Sequence, residues 1–212
     1  MARTRTQDDG CGIAHASELL GQRWALLVVR ELLLGPKRFT DLRAGIPAIS
    51  PNVLAQRLRE LEKAEILRRR TLAPPAAARV YELTEWGRGL EPAVLALGRW
   101  ASRSPGFPLN ARMGPDSLVL ALKTAFQPHK ADGLDASYEL WLREIPYSIR
   151  VHRAFHAERG EHPHADATLR SDPDTLASVV FRGRPLGKAI ASGAIEVTGS
   201  RRAVNALLGA CR

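Results

Sequence analysis

Leu54, Leu58 and Leu61 recur at four- and three-residue spacing within "ISPNVLAQRLRELEKAEILRRR", residues 49–70. That spacing dictates a helix. Ser50 supplies a hydroxyl for the N-cap, and Pro51 suits the first helical position, where no N–H is needed. At 100° per residue the three leucines form one narrow stripe. Asn52, Gln56, Arg59 and Lys63 form the opposite stripe, and Arg57 falls at the edge. A leucine stripe needs an apolar neighbour. The upstream run "RWALLVVRELLLG" is apolar almost all round, as a central buried helix would be, and Gly35-Pro36 ends it. Between the two, "FTDLRAGIP" reads as a short helix closed by Gly45 and Pro47. Before them, "GIAHASELLGQ" places Ile13, Leu19 and Leu20 on a helix stopped by Gly21.

After Lys63 the period changes. "ILRRRTL" and "RVYEL" read as two strands around "APPAAA", a hairpin with a Pro-rich tip. Thr84 can cap one further helix, "EWGRGLEPAVLALGRWASR", with Leu90, Val94, Leu97 and Trp100 or Ala101 at helical spacing. Four helices, a hairpin and a helix make a winged helix-turn-helix order.

The polar stripe decides what that order is for. Asn and Gln can pair bidentately with adenine in the major groove, and Arg with guanine. Cations bind phosphate. Recognition helices read bases with their N-terminal residues, where Ser50, Pro51, Asn52 and Gln56 stand; Arg57, Arg59 and Lys63 follow. Arg38 and Thr40, at the start of the preceding helix, join the set expected at DNA. Arg68, Arg69, Arg70 and Arg79 flank the hairpin tip, suited to a minor groove or to phosphate. Strand alternation puts Arg68 and Arg70 on one face and Arg69 on the other. Residues 1–104 hold 17 basic and 11 acidic side chains, and residues 105–212 hold 14 and 11. A polyanion therefore favours the first half. The competing reading is a solvated face laced by pairs such as Arg57–Glu60 and Glu60–Lys63.

Residues 1–104 are expected to form the first domain, mainly helical. "SRSPGFPLNARMGP" is aperiodic and rich in Pro and Gly, and 105–112 within it are taken as a linker. Residues 113–212 read as an α+β domain. "DSLVLALKTAF" is an amphipathic helix, and "DASYELWLREI", "PYSIRVHRAF" and "HADATLR" are strands. "DPDTLASVVF" and "LGKAIASG" are helices, "AIEVTG" a strand and "SRRAVNALLGAC" a closing helix. "HRAFHAERGEHPH" lacks the carboxylate or cysteine spacing of a metal site, so no metal is expected. Cys11 and Cys211 have no CxxC spacing. No catalytic or nucleotide-binding motif is present, so neither enzymatic activity nor a cofactor is expected. The start "MARTRTQDDG" is no signal peptide, and "WALLVVRELLL" is about half a bilayer span. A cytoplasmic chain with no membrane partner is expected.

"ELLGQRWALLVVRELLLGPKRFTDLRAGIPAISPNVLAQRLRELEKAEILRRR" and "RVYELTEWGRGLEP" resemble the HxlR family of winged-helix regulators, relatives of the MarR-type proteins. The resemblance covers roughly residues 11–101. It implies a homodimeric, sequence-specific regulator of double-stranded DNA, with the helices around Ile13–Leu20 and Leu90–Trp100 making the dimer. Two departures stand out. The family usually has glycine where this chain has Glu65, and often Cys-Pro where it has Cys11-Gly12. In some members the cysteine at this place senses oxidants or electrophiles, which makes Cys11 a candidate sensor; an inert buried thiol is the alternative.

"HADATLRSDPDTLASVVFRGRPLGKAIASGAIEVTGSRRAVNALLGA" resembles sterol-carrier-protein type 2 domains, a sheet covered by helices around an apolar tunnel. On that resemblance Leu176, Val179, Val180, Phe181 and Ile190 are candidates for an apolar small-molecule effector, or are plain core. The expected function is a dimeric, DNA-binding transcriptional regulator with an effector domain. The alternative is a lipid carrier or scaffold whose winged helix binds protein.

Overall fold

The computed structural model describes residues 10–74, 77–131 and 133–212. The first nine residues, and Pro75 and Ala76 at the expected hairpin tip, lie outside these. The chain forms two compact units, Met1–Val94 and Leu95–Arg212.

The first unit contains α1 (Gly12–Leu20), α2 (Ala25–Leu32), α3 (Phe39–Gly45) and α4 (Pro51–Lys63). A hairpin of β1 (Leu67–Thr71) and β2 (Arg79–Leu83) follows, then α5 (Glu85–Arg88) and the start of α6 (Glu91–Ala101). Ser50 caps α4 as its type predicts, its Oγ accepting from Val53 N at 3.4 Å. Leu54, Leu58 and Leu61 are each at most 2% exposed and pack with Val28, Val29, Leu42 and Ile46. The expected single helix over 85–103 is two helices instead. Pro92 has no N–H to give Arg88 O, so the ladder of α5 cannot run on into α6. Leu90 N bonds back to Gly87 O at 3.1 Å, closing the short turn.

The end of α4 explains the departure at residue 65. Glu65 adopts φ +57°, the left-handed conformation that glycine takes without cost. Glu65 N donates to Glu62 O and Ile66 N to Leu61 O, both at 3.0 Å. This is the Schellman pattern, with Leu61 and Ile66 as its buried apolar contact. Thr84 then locks the turn. Its hydroxyl donates to Glu65 O at 2.6 Å and accepts from Gly87 N at 3.0 Å. A Cβ on Gly87 would overlap Ile66 O, so only glycine fits there.

The hairpin pairs antiparallel from Leu67↔Leu83 to Thr71↔Arg79. Lys37 adds a short third strand, exchanging backbone bonds with Tyr81 at 3.0 and 2.8 Å. Its ammonium is buried and pairs with the buried carboxylate of Glu31. Glu31 also accepts from Arg30, whose NH2 group lies 2.6 Å away. Arg30 reaches on to Gly45 O at 3.4 Å, and a Cβ on Gly45 would overlap the Glu31 carboxylate.

The second unit is built on a five-stranded sheet of β3 (Asp135–Leu142), β4 (Ile145–His152), β5 (Ala154–Arg159), β6 (Ala167–Ser171) and β7 (Ile195–Gly199). The strand order is β5-β4-β3-β6-β7. All neighbours are antiparallel except β3 and β6, which are parallel. Tyr138, Leu140, Leu142, Tyr147, Ile149, Val151 and Leu169 alternate onto one buried face. Four helices supply apolar side chains to this unit's core: α7 (Pro115–Ala125), α8 (Pro173–Phe181), α9 (Leu186–Ala191) and α10 (Arg201–Ala210). A 3-10 turn spans Pro128–Ala131. β5 was not expected as a separate strand, because the "HRAFHAER" run reads as the tail of β4. It is a strand in its own right because Arg153, at φ +57°, turns the chain back. Asp116 pins α7 to these strands, accepting from the Tyr147 hydroxyl and from Arg159 at 2.9 and 3.0 Å.

The left-handed backbone at Glu65 generates a stability prediction. A non-glycine residue there costs about 1–2 kcal/mol, against about 0.5–1 kcal/mol for the extra chain entropy a glycine loses on folding. Glu65→Gly is therefore expected to stabilise the first unit by roughly 0.5–1 kcal/mol. Urea unfolding followed by tryptophan fluorescence reads this as a raised midpoint; an unchanged or lowered midpoint contradicts it.

Candidate nucleic-acid interface

The helix-turn-helix places α4 with its leucine stripe inward and its polar stripe outward. Ser50, Pro51, Asn52, Gln56, Arg59 and Lys63 are all exposed, as the wheel requires. Arg38 and Thr40 are exposed at the start of α3. Arg38 N donates to the Asp41 carboxylate at 3.2 Å, which caps the start of α3. Gln56 Nε2 donates to Glu60 Oε1 at 3.1 Å, one turn on, which fixes the amide's orientation on the exposed stripe.

Arg57 departs from expectation. It is 9% exposed, not at the solvent edge, and its guanidinium pairs with Glu60. At 340° on the wheel it lies nearer the leucines than the polar stripe, and a long side chain there folds over apolar surface. Arg57 therefore orders the helix flank rather than presenting a cation outward.

The wing arginines are exposed but engaged. Arg68 Nε donates to Glu82 Oε1 at 2.8 Å, and Arg70 Nε lies 3.1 Å from Glu82 Oε2. Arg69 makes a forked contact to Glu62 on α4, at 2.9, 3.0 and 2.6 Å. Bonding from Arg69 holds the Glu62 carboxyl below its usual value. The split of partners is the strand alternation: Arg68 and Arg70 share Glu82, while Arg69 turns the other way. Arg79 is exposed opposite Thr71. Glu62 and Glu82, which hold the wing arginines, do not stand out in the sequence. The signal was present for Glu82, since antiparallel register sets it directly across from Arg68.

Cys11 is exposed and precedes α1 as its N-cap residue. The N–H groups of Ala14 and Ile13 hold its thiol below the usual value. Burial instead pushes the Cys211 thiol up to about 12.

The five residues expected around an apolar ligand fall in different surroundings. Val180 and Phe181 line an open cavity of about 610 Å³, while Ile190 lines another of about 160 Å³. Leu176 and Val179 are fully buried and line neither. α8 presents its C-terminal end, not its whole apolar face, to open space. Among the described residues, no group of three or more His, Cys, Asp or Glu is placed to hold a metal ion. No helix among them is long and apolar enough to cross a membrane.

Comparison with known proteins matches the N-terminal part of the chain. The HxlR-like helix-turn-helix family pattern matches residues 19–105. The transcriptional regulator YodB of Bacillus subtilis is 41% identical over 88 residues, 42% of this chain and 79% of YodB. The regulator YvaP of the same organism is 34% identical over 87 residues, 41% of this chain and 81% of YvaP. Among solved structures, the reduced form of YodB matches at 36% identity, covering 46% of this chain and 97% of that one, with a TM-score of 0.41. The redox regulator HypR in its oxidized form matches at 31% identity over 46% of this chain and 100% of that one, with a TM-score of 0.42.

The contrast between the two thiols is measurable. Iodoacetamide at pH 7.5 is expected to alkylate Cys11 in the folded protein within minutes and to leave Cys211 unmodified. Raising the pH should bring the Cys11 rate to its plateau earlier than for a free cysteine peptide, because only the thiolate reacts. Peptide mass spectrometry reads both. Equal labelling of the two, or a Cys11 midpoint at or above the free peptide's, contradicts the assignment.

Proposed function

The chain belongs to the HxlR-like helix-turn-helix family, and on that premise we propose that it is a DNA-binding transcriptional regulator. α4 enters the major groove, with Asn52 and Gln56 at base edges. Arg59 and Lys63 meet phosphates, and Arg38 and Thr40 approach the backbone beside them. The wing reaches the neighbouring groove or its phosphates through Arg68, Arg69, Arg70 and Arg79. The observation that carries this reading is the two-sided α4: buried Leu54, Leu58 and Leu61 behind exposed Asn52, Gln56, Arg59 and Lys63.

The regulator acts as a homodimer on a palindromic site. Supporting this, α1 and α6 leave large apolar side chains in solvent: Ile13 is 78% exposed, Leu97 48% and Trp100 76%. Such surface suits a partner. Residues 1–104 serve DNA binding and dimerisation, 105–112 link, and 113–212 form an effector or interaction domain. The one-sided sheet with its parallel β3–β6 pair supports a sterol-carrier-like reading of that domain. A ligand there acts by shifting the spacing or freedom of the paired recognition helices. Cys11, exposed and with a lowered thiol pKa, is the candidate for redox or electrophile sensing. The second reading is a lipid carrier or scaffold whose winged helix binds protein; such binding would resist salt where DNA binding would not.

A mobility-shift titration against DNA from upstream of the chain's own gene tests the main reading. Asn52→Ala and Gln56→Ala are each expected to cost about 1–3 kcal/mol of specific binding. Lys63→Ala should instead weaken all sequences alike and reduce the salt slope by about 1. No specific retardation at moderate salt, or indifference to both amides, would sink the proposal.

The dimer is checked separately. Light scattering behind a sizing column should give twice the chain mass at micromolar concentration, and Trp100→Glu should return the monomer. A wild-type monomer at 50 µM, or a dimer unmoved by Trp100→Glu together with Ile13→Glu, contradicts it.

A further inference from the structure

Within the second unit, the cavity of about 610 Å³ brings together guanidinium groups and aromatic rings with no Asp or Glu side chain in its lining, and the Arg212 O there accepts from Gln127 Nε2 and Lys130 Nζ. Its lining includes Arg99, Arg103 and Arg212 beside Phe126, Val180 and Phe181, and contains no aspartate or glutamate. Some exposed arginines of the chain are answered by carboxylates: Arg68 and Arg70 by Glu82, Arg69 by Glu62, and Arg143 by Asp172. Arg99 and Arg212 are held instead by neutral backbone. Arg99 Nε donates to Thr124 O at 3.2 Å, near the end of α7. Arg212 donates to Val179 O at 2.9 Å, near the end of α8. Each bond fixes a guanidinium in place and leaves most of its five N–H groups for something else.

Like charges gathered around one cavity repel until an anion joins them, and low-dielectric walls concentrate their field. The forked guanidinium matches an oxyanion bidentately. The rings supply the other half of a ligand site. Phe126 is set by its tilted contact with Phe155, at 5.7 Å between centroids, so its orientation is fixed before any ligand arrives. A volume of about 610 Å³ falls within the range of small-molecule sites.

We propose that this cavity binds a small amphipathic organic anion, a carboxylate on an aromatic or alkyl body. The carboxylate sits among Arg99, Arg103 and Arg212, and the body lies against Phe126, Val180 and Phe181. This deepens the effector reading of the second unit by naming the chemical class. It differs from the expected ligand set, in which only apolar contacts were foreseen and Leu176, Val179 and Ile190 were included. It also suggests a route outward. Arg99 lies on α6 next to Trp100, so an anion held by Arg99 loads the helix whose exposed Leu97 and Trp100 were assigned to the dimer.

The test is calorimetric titration of the full chain with 2-naphthoate and with its neutral counterpart 2-naphthylmethanol. Naphthoate is expected to bind in the sub-millimolar range, at least tenfold more tightly than the alcohol, and to weaken with added salt. Arg103→Gln should cost naphthoate about tenfold, the worth of one charged hydrogen bond, and leave the alcohol unchanged. Arg103 makes no ion pair with a described residue, so this variant should keep the wild-type Tm. Arg99→Gln combined with Arg103→Gln should abolish naphthoate binding, while Arg150→Gln, on an exposed strand position, should leave it intact. Equal affinity for the two probes, no naphthoate binding up to 5 mM, or indifference to Arg103→Gln overturns the proposal. Each of these results stands whether or not the chain retards DNA, so the site and the regulator reading fail independently.

Discussion

One buried carboxylate, that of Glu31, holds the DNA-binding unit in register. A lone carboxylate in an apolar interior is too costly to persist, so it must find cations. Glu31 finds Lys37 and Arg30. Lys37 in turn carries the backbone bridge to Tyr81 of the wing. Arg30 carries the contact to Gly45 at the end of α3. Two elements that sequence separates, the wing and the end of α3, are thereby tied to one point on α2. The relative placement of α3, α4 and the wing is what a groove would test, and hydrophobic packing alone fixes distances better than angles. The pair supplies direction. Because both charges are buried, it also gives little tolerance: losing one partner strands the other.

The helices of this unit were legible because each carries a local signature. The leucine stripe, the Ser50-Pro51 start and the Gly35-Pro36 stop all act within a few residues. Glu65 was legible as an anomaly, and the structure gives it a meaning: a left-handed Schellman position occupied by a residue that pays for the conformation because Thr84 and Gly87 hold the turn. What escaped was non-local. Glu31 and Lys37 are six apart and read as ordinary surface charges; nothing local says that both are buried. The break before α6 depended on a single residue, Pro92, within a run whose helical spacing otherwise reads as continuous. The burial of Arg57 follows from its wheel angle, but an arginine at an edge can turn either way, and only the position of Glu60 decides.

The second unit was legible in its class and less so in its detail. Alternation in β3, β4 and β6 marked strands, and the "DPD" start of α8 marked a helix, with Asp172 accepting from Asp174 N at 2.9 Å. The apolar run of α8 could not say which of its side chains are core and which border open space. That division comes from where α7 ends and how Phe126 turns, both set by distant contacts. The clamp of Asp116 on Tyr147 and Arg159 is of the same kind: a first-turn aspartate looks like a helix-dipole residue until the strands arrive.

The paired arginines of the wing carry a consequence for how charge should be counted. "RRR" contributes three positive charges on paper, yet Glu62 and Glu82 stand against them within hydrogen-bonding reach. For this wing, meeting a phosphate is an exchange of one anionic partner for another, not the capture of a bare cation. Exchange reactions yield little free energy when the incoming partner is poorly placed and more when its geometry betters the one displaced. On the proposed reading, a hairpin built this way discriminates more than it adheres.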